Sequence, residues 1–97
     1  MQREEMIAVD EFCIHHHIEH TFIQNMDESG LIRIETVEHR QFIPFDELAK
    51  AEMFAKFHSD LGLNPEALET VSHLLDKMKE MREEILRLNN RLRMYED

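Results

Sequence analysis

The run Asn64-Pro65-Glu66-Ala67-Leu68-Glu69-Thr70-Val71 decides how the rest of the chain is read. Asparagine is a favoured helix cap. Proline suits the first helical position, where its missing N–H would have no partner, and glutamate complements the positive end of the helix dipole. No glycine or proline follows Pro65, so one continuous helix is predicted from Pro65 to about Tyr95, on the order of 45 Å long. Along it Val71, Leu74, Met78, Met81, Ile85, Leu88, Leu92 and Tyr95 recur at alternating intervals of three and four. This is a heptad seam, with Val71, Met78, Ile85 and Leu92 at a and the other four at d, the pattern of a helix that pairs with another helix. Lys77, Arg82, Glu84 and Arg91 flank the seam with mixed sign. Glu80, Glu83 and Glu84 read as its outer face, balanced by Arg82 and Arg87 through near-neighbour pairs. Leu68 and Leu75 widen the stripe at its start, so that end is expected to pack on the preceding residues too. The alternative is that this helix folds back along its own head and pairs with nothing; against it stands size, because so small a head cannot cover so long a stripe.

Upstream, residues 6–18 read as a short lead-in and a helix, with Asp10 as cap and Phe12 and Cys13 facing inward. Residues 19–29 read as a second short helix carrying Phe22, Ile23 and Met26 on one face. Gly30 stands where a helix stops in a left-handed residue. Ile32 and Ile34 alternate within residues 31–36 as a strand would, residues 41–43 can return as its partner, and Glu38-His39 falls at the turn. Pro44 ends that strand. A third helix then runs from a cap at Asp46 through Leu48, Phe54, Phe57 and Leu61 to Gly62. The expected division is a head over 1–63 and the long helix over 64–97.

The chain has 97 residues, 21 Asp or Glu against 11 Lys or Arg, and a formal net charge of -10. That balance repels nucleic acid and anionic membranes and favours a basic partner. No apolar run approaches the roughly 18 residues of a membrane span. The start, Met1-Gln2-Arg3-Glu4-Glu5, is acidic and unlike a signal peptide. Cys13 is alone, which leaves no internal disulfide. A cytoplasmic location is expected.

His15-His16-His17 and His20 invite a metal reading, and His16 and His20 would share a face if one helix ran through both. A closed zinc site needs four ligands, the chain has no second cysteine, and Ile18-Glu19 reads as a break, so no metal is expected. Cys13, beside Asp10 and Glu11, lacks the base and the positive surroundings a nucleophile needs. With two glycines in the whole chain, no phosphate-cradling loop forms. No cofactor and no enzymatic activity are expected. Asp27, Glu28, Asp60, Glu66 and Glu69 are the acidic candidates for partner contact.

The order helix, helix, two-strand wing, helix, long helix, carried by Val9–Cys13, Ser29-Gly30-Leu31-Ile32, Phe45-Asp46-Glu47-Leu48 and the closing seam, resembles the MerR-like winged-helix family. Residues 57–68, Phe-His-Ser-Asp-Leu-Gly-Leu-Asn-Pro-Glu-Ala-Leu, with Leu74-Leu75-Asp76-Lys77-Met78, more narrowly resemble the CbpM chaperone-modulator family. The resemblance implies a mainly α fold, with a winged helix-turn-helix head, a small two-strand wing and a long coiled-coil-type C-terminal helix. It also implies a function. Members bind the J-domain of a DnaJ-like co-chaperone, CbpA, and keep it from the Hsp70 chaperone. A basic J-domain surface suits an acidic binder, here expected as a homodimer through the C-terminal helix. The alternative is a MerR-type transcriptional regulator on promoter DNA. It has the fold, but residues 1–30 hold one Lys or Arg, Arg3, against seven Asp or Glu. Gln24 stands where a recognition helix would carry arginine, and only Arg33 and Arg40 make the wing basic. Phosphate neutralisation supplies most non-specific affinity, so DNA is the less expected partner. A plain oligomerisation module is a third reading.

Overall fold

The computed structural model describes residues 5–96. Its elements are β1 (Met6–Ala8), α1 (Val9–His16), α2 (His20–Glu28), β2 (Glu35–Val37), β3 (Arg40–Pro44), α3 (Phe45–Leu61) and α4 (Pro65–Tyr95). The chain is mainly α with a small antiparallel sheet and a long closing helix. The sheet has three strands in the order β1-β3-β2, so the expected two-strand wing is present as β2 with β3 and a third strand is added on its other edge. The lead-in is itself a strand: Met6, Ile7 and Ala8 pair with Pro44, Ile43 and Phe42. On the other edge Glu35, Thr36 and Val37 pair with Phe42, Gln41 and Arg40.

Leu31 and Ile32 are not in a strand. They belong to the connection after α2, which buries both. Leu31 N–H donates to the Met26 carbonyl and Gly30 N–H to that of Asp27, with Gly30 at φ 81°. This Schellman cap turns Leu31 back against Met26, so a helix cap and not sheet pairing places the first half of the apolar run. The strand begins only at Glu35. Its turn, Glu38-His39, stands where expected, with both residues at positive φ, 51° and 68°. A two-residue turn of that kind matches the twist of the strands it joins, but ordinarily recruits Asn-Gly.

Two expected caps are also corrected. α1 starts after Ala8 and α3 after Pro44, neither with a side-chain cap bond, and Asp10 and Asp46 lie inside the first turns. There they act on the exposed N–H groups through charge. α3 ends at Gly62, φ 71°, whose N–H returns to the His58 carbonyl. α4 starts as the sequence requires: the Asn64 side chain accepts from Ala67 N–H at 2.8 Å.

The core draws on every helix. Val9, Phe12 and Cys13 come from α1, Phe22, Ile23 and Met26 from α2, and Ala51, Phe54 and Ala55 from α3. Ile43 enters from the sheet, and Leu68, fully buried, from the first turn of α4. Leu75 is half-buried, and beyond it the helix leaves the head. The radius of gyration is 17.5 Å and the longest extent 59 Å, whereas a compact chain of this length would have a radius of about 12–13 Å.

The Glu38-His39 turn generates a test. Left-handed backbone costs an ordinary residue about 1 kcal/mol or more. Glu38→Asn with His39→Gly is expected to raise stability by roughly that amount in urea denaturation, with an unchanged slope.

Candidate functional site

Two surfaces stand out. The first is the exposed stripe of α4. Leu74, Met78, Met81, Ile85, Leu88, Leu92 and Tyr95 are each between 47% and 81% exposed. Val71 is half-buried at its foot. Seven large apolar side chains on one helical stripe, with no head residue covering them, make a patch of the size that ordinarily meets a partner. On the outer face Arg87 pairs with Glu84 one turn away. Leu86 and Met94 are exposed too, off the seam.

The second is the head. Its α1–turn–α2 unit is joined through a tight corner in which His17 takes the left-handed conformation, φ 55°. Ile18 N–H donates to the Cys13 carbonyl and His17 N–H to that of Ile14. Histidine here fills the role that glycine plays after α2 and α3. The break predicted at Ile18-Glu19 is therefore present. His16 and His20 fall on different helices, and among the described residues no three His, Cys, Asp or Glu side chains converge as metal ligands would.

The positions through which such a unit would touch phosphate are otherwise engaged. Glu19 occupies the N-cap position of α2 without a side-chain cap bond, and its carboxylate accepts from the Thr21 hydroxyl at 3.3 Å. It thus holds negative charge at the helix end that most readily accepts an anion. Gln24 donates to Gln41 across to β3 at 2.6 Å. Arg33 is surrounded: its side chain lies 3.3 Å from Glu47, 3.5 Å from Asp46 and 3.7 Å from Glu35. Its backbone N–H donates to Glu47 as well, at 3.0 Å. Arg40 lies over the Phe42 ring, 5.4 Å from its centre, the geometry of a cation–π contact.

The acidic candidates divide. Asp27 turns to its own chain and accepts from Ile34 N–H at 3.3 Å, holding the loop into β2. Asp60 pairs with Lys56 at 3.2 Å. Glu28 ends α2 and is exposed, Glu66 lies exposed in the first turn of α4, and Glu69 is half-buried. Asp60, Glu66 and Glu69 thus bracket the α3–α4 corner, while Asp27 and Glu28 belong to the far end of α2.

One feature that sequence reading missed is His58. Its ring stacks on Phe22 at 4.2 Å, and its Nδ1 lies 2.7 Å from the Leu63 carbonyl, to which it donates. It ties α2 to the corner from which α4 departs. The residue stands three before Leu61 at the end of α3, but nothing in the local pattern tells a stacked histidine from a solvated one.

Cys13 is buried, with its pKa raised by burial first and by the neighbouring Asp10 second. Both causes disfavour the thiolate, the form that reacts. Among the described residues no helix is long and apolar enough to cross a membrane.

In comparisons with known proteins, a family model described as MerR HTH family regulatory protein matches residues 7–90. No curated protein matches, and no solved structure does.

The Cys13 environment predicts slow chemistry. In the folded chain Cys13 is expected to react with a disulfide reagent at pH 8 at least tenfold more slowly than in urea, followed by absorbance. Equal rates would contradict its burial.

Proposed function

The chain belongs to the MerR HTH regulatory family, and on that premise we propose that it is a non-enzymatic adaptor, whose head occupies the J-domain of a DnaJ-like, CbpA-type co-chaperone and whose C-terminal helix pairs two copies. The observation that carries this reading is electrostatic. Residues 4–32, which include α1, its corner and α2, contain no Lys or Arg, and the wing's Arg33 lies among three carboxylates. A surface of that kind begins with repulsion toward phosphate and attraction toward a basic protein. Glu28, Glu66 and Glu69, together with the internally engaged Asp27 and Asp60, are the proposed contacts at the α2 end and the α3–α4 corner. A complex of this kind would act by occupancy, denying the J-domain to the Hsp70 chaperone.

Pairing is proposed along the seam. Residues 65–80 carry four Asp or Glu and two Lys or Arg, whereas residues 81–95 carry two and four. In an antiparallel pair centred on the seam, however, Glu66 and Glu69 lie beyond the partner's helix, and the paired segment 71–80 has two residues of each sign. The register that centres the seam places Val71 opposite Tyr95 of the second copy, Leu74 opposite Leu92, Met78 opposite Leu88 and Met81 opposite Ile85, so every a meets a d. Lys77 meets an arginine in either orientation, Arg91 antiparallel or Arg82 parallel, and antiparallel pairing also sets Arg82 and Glu84 each against its own copy, so charge does not select the orientation.

A second reading, a MerR-type regulator on promoter DNA, has the family description in its favour. A sequence-specific gel shift at physiological salt would support it.

The wild-type chain is expected to bind a purified J-domain with affinity that falls as salt rises. No complex at roughly 50 μM would remove the proposal. In sedimentation the chain is expected to run as a dimer and Met81→Asp/Ile85→Asp as a folded monomer. A wild-type monomer at high concentration would end the pairing proposal.

A further inference from the structure

The α1–α2 corner carries a feature that the acidic candidates do not include. Ile14 is 75% exposed, the most exposed large apolar residue among the described residues of the head. It does not stand alone. Cys13, Ile14 and Ile18 floor an open hollow of about 760 Å³ between the end of α1 and the start of α2, with Asp10 and Glu19 at its rim. His20 Nε2 lies 2.8 Å from Asp10, and exposed Glu11 stands beside Asp10 on α1. No Lys or Arg occurs between Arg3 and Arg33; the basic groups of the lining are the imidazoles of His17 and His20, the latter against Asp10, which among the described residues leaves Glu19 with no basic partner at the rim.

We propose that this hollow docks one face of a cationic amphipathic helix, with an apolar side chain of the partner seated on Ile14 and Ile18 and its flanking lysines or arginines against Glu11 and Glu19. The proposal rests on the reading of the head as a binder of a basic protein and names the surface used. Several observations select the occupant. The hollow is open and shallow, suited to the side of a helix and not to an enclosed small molecule. Its floor is apolar, which hydrated phosphate does not need, and its rim is anionic, which phosphate does not tolerate. The Schellman bond of Ile18 to Cys13 holds the floor in place, so docking requires no reordering of the corner.

The full chain, labelled with nitrogen-15, is titrated with three probes: a Leu/Lys amphipathic helical peptide, a Ser/Lys peptide of equal charge, and a purified J-domain. The Leu/Lys peptide and the J-domain are expected to shift the amides of residues 10–20, and the Ser/Lys peptide to bind at least tenfold more weakly. Ile14→Glu and, separately, Glu11→Lys/Glu19→Lys are expected to weaken both binders tenfold or more. All these positions are exposed, and circular dichroism checks that the variants stay folded. If the J-domain binds and maps elsewhere, or binds both variants within twofold of wild type, this inference fails while the proposed function stands. If the J-domain does not bind but the Leu/Lys peptide maps to the corner, the proposed function fails and the docking surface stands. The inference is also overturned if no probe moves residues 10–20, if those amides shift on dilution, which would make a second copy the occupant, or if short duplex DNA moves them in place of the peptide.

Discussion

The burial of Leu68 at the foot of α4 sets the geometry of everything beyond it. Its side chain is fully enclosed, its N–H returns to the Asn64 carbonyl at 2.9 Å, and the preceding turn is tied to α2 by the His58 ring between Phe22 and the Leu63 carbonyl. Burying a leucine contributes about 1.5–3 kcal/mol, and the cap and the histidine bond about 1 kcal/mol each. Together these exceed what fraying of a single turn would recover. The direction in which α4 leaves the head is thereby a property of the core. The exposed stripe is presented at a set angle, so any partner that pairs with it also meets the head in a set orientation.

Much of the fold is legible in the residues, and the reasons are local. Asn64-Pro65 announces α4, Gly30 and Gly62 announce the ends of α2 and α3, and the heptad spacing announces an uncovered stripe. What could not be read depends on distant residues or on ordinary residues in unusual conformations. β1 is three residues long and exists because β3, more than thirty residues later, supplies its partner. His17, Glu38 and His39 adopt positive φ with no glycine to mark it. Leu31 and Ile32 satisfy a strand pattern but answer to the cap of α2. Asp10 and Asp46 have the chemistry of caps, yet the helices begin one residue or more before them.

The candidate surfaces divide on the same line. The seam was visible as a period, because exposure along a projecting helix needs no knowledge of the rest of the fold. Charge sign was visible as composition. Which carboxylates are engaged within the chain was not, since Asp27 and Asp60 look no different in sequence from Glu28 and Glu66, and the Arg33 cluster joins residues from the loop before β2, from β2 and from α3. A fold that its relatives' description connects with regulation keeps its helix-turn-helix outline here, while the side chains that would carry positive charge outward are few or turned toward neighbouring carboxylates.

The projection of α4 gives the molecule a direction as well as a length. The head, residues 1–63, has thirteen Asp or Glu against five Lys or Arg, whereas the outer end of the chain, residues 81–97, has four of each. Concentrated at one end of a body 59 Å long, that acidic excess gives a single copy of the chain a permanent dipole moment. In the field of a positively charged surface such a rod experiences a torque before it experiences contact, and it arrives head first. Orientation during approach is then a product of helix length, through the lever arm that α4 provides.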